Sequence, residues 1–152
     1  MSKVFRYMLA YSMWIINLGL SGWLIYTSRI VVLALFASSD QVGEFQFTKT
    51  MNLVDRSLTV ILGLGWLVFS IFAENYYRTG VANNNLMKRF ARYTAPLLLS
   101  IFVIDLILFW MQIIGGDIWL RWLILAIELF SGLALFVFGR IPDTNKIEKE
   151  TP

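Results

Sequence analysis

Four apolar runs, each close to the length that spans a bilayer, constrain this chain more than any motif in it. They extend from Tyr7 to Ser28, from Ser57 to Ala73, from Tyr93 to Gly116 apart from Asp105, and from Leu123 to Gly139 apart from Glu128. About 30 Å of hydrocarbon at 1.5 Å per residue asks for roughly 20 residues. A backbone group left unpaired in lipid costs several kcal/mol, and the period-two alternation of a barrel strand is absent, so each run is expected to be a helix. The sequence therefore predicts an all-α integral membrane protein. Its four transmembrane helices fall at about 7–36, 53–74, 86–114 and 118–139, in an up-down-up-down bundle. Residues 1–140 form one domain, followed by a polar tail over 141–152.

Composition agrees, with 58% of the 152 residues hydrophobic, above the share usual in a soluble domain. The chain has neither His nor Cys. Its side chains thus supply no imidazole for haem, no thiolate for a metal, no disulfide and no His- or Cys-based catalysis. No cofactor held by side-chain ligation is expected, with bound lipid as the remaining candidate. No Gly-rich phosphate loop and no nucleic-acid motif is present, and the formal charge of +3 reads as membrane topology rather than nucleic-acid binding.

Orientation follows from the basic residues. With both termini on one side, that side holds Lys3, Arg6, Arg78, Lys88, Arg89, Arg92, Arg140, Lys146 and Lys149, against Arg29, Lys49, Arg56 and Arg121 on the other: nine against four. The positive-inside rule then places the chain in the cell membrane with both termini cytoplasmic. Lys3 and Arg6 ahead of an apolar run imitate a signal peptide, but the run exceeds the 7 to 15 residues of a secretory core, so a retained anchor is expected.

The first run raises a question of length. From Tyr7 to Ala37 only Arg29 interrupts it, and as one helix it reaches about 46 Å. Twenty residues from Arg6 end near Tyr26, and twenty counted back from Glu74 end near Val54. Arg29, Asp55 and Arg56 are therefore expected at one level, an outer-interface cluster that pairs or snorkels. "IVVLALFA" (30–37) either lies beyond the membrane as an apolar surface or reflects a strongly tilted helix. Residues 37–52 are read as an outer loop and 74–92 as the one long inner loop. There Asn83 to Asn85 are expected to cap a helix starting at Leu86, and Lys88, Arg89 and Arg92 to meet lipid headgroups or a partner. Pro96 is expected to kink that helix.

Two acids stand inside apolar runs, Asp105 and Glu128. The "GGD" turn at 115–117 is so short that the third and fourth helices must be antiparallel neighbours, with residues equidistant from Gly116 at equal depth. That places Asp105 level with Glu128 roughly 14 Å below the turn, near the bilayer centre, and Gln112 level with Arg121. Spacings of seven put Asp105 with Gln112, and Glu128 with Arg121, on shared faces. Ionised acids at mid-bilayer cost at least about 2.5 to 3.5 kcal/mol each on insertion scales, so at least one is expected to be protonated at neutral pH. Such a pair serves either as a helix clamp or as a proton or cation site, with Asn17 as a candidate donor to it. Asn17, Ser21 and Ser28 on the first helix, and Thr59, Gly63 and Ser70 on the second, read as close-packing faces.

Without a catalytic set, the sequence is read as a non-enzymatic subunit or scaffold of a larger membrane assembly. Its expected partners are membrane lipids and other membrane subunits or copies of itself, and no nucleic acid. The competing reading is a small transporter or channel-like oligomer coupled to protons or cations through Asp105 and Glu128.

Overall fold

The structure is a computed structural model that describes residues 3–39, 44–82, 85–112 and 117–141. Four α-helices run in chain order: α1 (Lys3–Ser39), α2 (Glu44–Ala82), α3 (Leu86–Trp110) and α4 (Ile118–Arg140). All four are long and apolar enough to cross a membrane. Their apolar side chains point outward: Ile61, Ile71 and Phe72 on α2 and Phe130 on α4 are 66%, 70%, 69% and 71% exposed. A chain that turns residues of this size outward on several helices needs an apolar solvent.

α1 and α2 are antiparallel. Ascending α1, Trp14 Nε1 donates to the Ser70 carbonyl (3.2 Å), Ser21 Oγ accepts from Trp66 Nε1 (3.0 Å) and Arg29 pairs with Asp55, each partner lying further back along α2. α1 also packs on α3, and α2 touches α3 more lightly. α4 packs on α3 and, among the described residues, on neither α1 nor α2. The expected four-helix bundle is thus open: a three-helix core with α4 attached to one side.

The α3–α4 seam explains this attachment. Along α4, Leu125, Gly132 and Gly139 are buried at spacings of seven, the period of a helix–helix seam. A Cβ on Gly132 would meet Leu99 Cδ2 at 3.0 Å, and one on Gly139 would meet Arg92 Cγ at 3.0 Å and the Arg92 backbone nitrogen at 3.2 Å. Glycine is what lets the two backbones approach. The position of a Cβ at 132 lies 3.5 Å from Leu98 Cβ, at the short end of disulfide geometry. Since the chain has no native cysteine, a Leu98→Cys/Gly132→Cys variant is expected to cross-link internally on mild oxidation, seen as a gel shift reversed by reductant. No cross-link would contradict the seam.

Three expected boundaries are corrected. α2 covers 44–82 rather than 53–74, so much of both presumed loops is helix. Apolar run length measures the part suited to lipid, and a helix continues past it wherever no breaker intervenes. Here Tyr77 and Val81 are buried in a core cluster with Ala10, Met13 and Leu86, which holds the extension. α2 closes when the Asn85 N–H donates to the Gly80 carbonyl (3.2 Å). That use of Asn85 also answers the capping expectation: it occupies the N-cap of α3 but its side chain makes no capping bond.

α3 ends at Trp110, not near 114. Gln112 stands at φ 52° beyond the helix, the left-handed conformation that reverses a chain after its last turn. α4 then starts on Asp117, whose side chain accepts from the Trp119 N–H. Residues 113–116 of the turn, the linkers 40–43 and 83–84, and the tail 142–152 lie outside the described residues. Gly63 has nothing within 4 Å of where a Cβ would stand, so the expected close packing does not occur at that position, although Ser70 of the same face meets Trp14 of α1.

Candidate functional site

Asp105 and Glu128 meet across the α3–α4 seam. Their carboxyl groups lie within hydrogen-bonding reach of one another, and the Arg121 guanidinium is near enough to act on Asp105. Each acid also has one buried oxygen, Asp105 Oδ1 and Glu128 Oε2, with no hydrogen-bond partner. The same seam is fixed independently by Gly132 on Leu98 and Leu99, and by the edge-to-face rings of Phe109 and Trp122 (centroids 5.4 Å apart). An arginine beside two acids offsets their negative charge, which a low-dielectric seam would otherwise penalise. Gln112 takes no part on that face. It is exposed and past the helix end, so its spacing of seven from Asp105 no longer specifies a common side.

Asn17 does not serve the acids either. It is fully buried, with Nδ2 donating to the Tyr77 hydroxyl and to the Met13 carbonyl, while Thr94 Oγ1 donates to its Oδ1 (3.1 Å). Three helices thus meet at one polar node. Thr94 precedes Asp105 by eleven residues on α3, about 16 Å along the axis, and this separates node from acids. Tyr77 and Thr94 were missed by sequence reasoning. A hydroxyl at 94 inside an apolar run was the available signal for one, whereas Tyr77 read as a loop residue.

Arg29 and Asp55 form a two-pronged pair, with Nε to Oδ1 at 2.7 Å and Nη2 to Oδ2 at 2.7 Å. Arg56, the neighbouring residue on α2, is exposed. Beyond this pair α1 continues for ten residues to Ser39, and α2 begins eleven before it at Glu44. The α1–α2 hairpin thereby extends about 15 Å past the Arg29–Asp55 level.

At the opposite end, two of the three candidate headgroup cations serve the helices themselves. Arg89 Nη1 donates to the Tyr76 carbonyl (2.8 Å) with its guanidinium over the Tyr76 ring, and Arg92 Nε donates to the Gly139 carbonyl (2.7 Å). The Gly139 carbonyl lies in the last turn of α4, where backbone acceptors lack partners and positive charge is favoured. Lys88 is half-buried. Tyr93 stacks between Phe69 and Tyr76, with ring centroids 5.1 and 5.6 Å away. Pro96 stands inside α3, which runs through it without interruption.

Among the described residues no group of three or more acids is placed to hold a metal ion. Compared with models of protein families, with curated proteins and with solved structures, the chain matches none.

Proposed function

We propose that this protein is a non-enzymatic, multi-pass subunit or scaffold of a larger assembly in the cell membrane, with both termini cytoplasmic. The observation that carries this reading is the open arrangement, in which, among the described residues, α4 packs on α3 and on no other helix. A helix seated on one neighbour leaves apolar faces on both sides of the attachment, and helices of partner subunits are the natural cover for them. The α1–α2 hairpin supports it further, since it reaches past the Arg29–Asp55 level and offers a surface outside the lipid. The excess of basic residues at the end carrying the termini supports the orientation. In this reading Asp105 and Glu128 clamp α4 to α3.

The contact of two acids near mid-bilayer favours a second reading, a proton- or cation-coupled transporter. One variant separates them. In the Asp105→Asn/Glu128→Gln protein the scaffold reading expects unchanged co-purification of partner subunits from native membranes in mild detergent, and no change in ion flux. Recovery of wild-type protein as a lone homo-oligomer, or retained assembly with lost flux, would overturn it. Infrared spectra supply a further check: a clamp keeps its protonated carboxyl band up to pH 10.

A further inference from the structure

Where α3 begins and α4 ends, a groove of about 370 Å³ opens between the two helices, lined by Arg92, Pro96, Phe136, Gly139 and Arg140. Its composition is divided: two guanidinium groups at one level, and a proline and a phenylalanine ring placed toward the apolar part of the helices. Arg92 is held in place by its Nε bond to the Gly139 carbonyl, which uses one of its five N–H donors and leaves four. Arg140 lies with its guanidinium 4.3 Å from the Phe136 ring centroid, a stacking that orients the fork without consuming its donors. Among the described residues neither arginine forms an ion pair. Gly139 lines the groove where the Arg92 stem lies against it.

We propose that this groove is a binding site for an anionic phospholipid, its phosphate held between Arg92 and Arg140 and its acyl chains laid along Pro96 and Phe136. Charge complementarity favours this occupant. Guanidinium forks match phosphate oxygens two at a time, and the two arginines sit at the ends of membrane-length helices, where headgroups lie. The apolar walls immediately below them suit chains rather than a free ion. The groove is on the α3–α4 side, which α1 and α2 leave uncovered. The inference does not depend on the scaffold reading, because a transporter would carry the same groove.

The test uses the full-length protein in a neutral detergent, titrated with phosphatidylglycerol or phosphatidylcholine while its thermal unfolding is followed. A ligand that binds only the folded state raises the midpoint with concentration. Phosphatidylglycerol is expected to raise it and phosphatidylcholine to do so much less. Arg140→Gln, which leaves the Arg92 to Gly139 bond in place, is expected to weaken the phosphatidylglycerol response at least ten-fold in midpoint concentration. Arg78→Gln, at the same end but outside the groove, is expected to leave it unchanged. Equal loss in both variants would reduce the effect to general surface charge and overturn the site. An equal stabilisation by inorganic phosphate would overturn the lipid assignment.

Discussion

Asn17→Leu is expected to lower the unfolding midpoint of the detergent-solubilised protein by about 5 to 10 °C, a loss of roughly 2 to 3 kcal/mol at 2 to 4 °C per kcal/mol for a chain of this size. Leucine keeps the branched heavy-atom shape, at a larger volume, and removes both of the amide's roles. It strips the acceptor from Thr94 and the donor facing the Tyr77 hydroxyl, in surroundings where Asn17, Tyr77 and Thr94 are 0%, 1% and 2% exposed. Interhelical hydrogen bonds in membranes are worth about 0.6 kcal/mol on average and up to about 1.7. Two lost bonds plus a stranded hydroxyl give the stated range. Tyr77→Phe and Thr94→Val each remove one bond and are expected to cost about 1 kcal/mol or less. Combined with Asn17→Leu they should add little, as members of one network do. Full additivity would show that the node is not a unit.

Gly139→Ala is expected to cost about 2 kcal/mol, and Gly132→Ala distinctly less. The two glycines are equivalent in spacing yet meet different atoms. At 132 the nearest neighbours are the outer atoms of Leu99, which can rotate aside. At 139 the obstacle includes the Arg92 backbone nitrogen at 3.2 Å, which cannot move without carrying α3 along. Overpacking against well-packed neighbours typically costs about 1 to 3 kcal/mol. Displacement of α4 also breaks the Arg92 bond to the Gly139 carbonyl. Chemical unfolding followed by tryptophan fluorescence would read the difference; equal effects at the two positions would contradict the backbone contact.

Much of the architecture was legible in the sequence because bilayer physics narrows the options. Run length and apolarity place α1 and α4 to within a few residues, and the short turn at 115–117 sets which residues of α3 and α4 are level. The extension of α2 was not legible, since Tyr76, Tyr77 and Arg78 lower hydropathy without interrupting a helix. Nor was the partner of Asn17. Spacing along one helix assigns a side, but which side meets which neighbour depends on how three helices lean together. Gln112 failed for a related reason: a spacing of seven has meaning only while the helix persists. Gly63 shows that a small residue permits close approach without causing it, because nothing approaches.

The solitary attachment of α4 also bears on how the chain is put together. Synthesis proceeds from the amino end, so α1, α2 and α3 are complete before α4 emerges, and their shared node at Asn17, Tyr77 and Thr94 asks nothing of the last helix. α4 then docks on a single ready-made face, by means of two glycines, a pair of acids and one arginine-to-carbonyl bond. Its undocking would open that one seam, a sub-global event that leaves the other three helices in place. The order of assembly is thus written into which helices share neighbours.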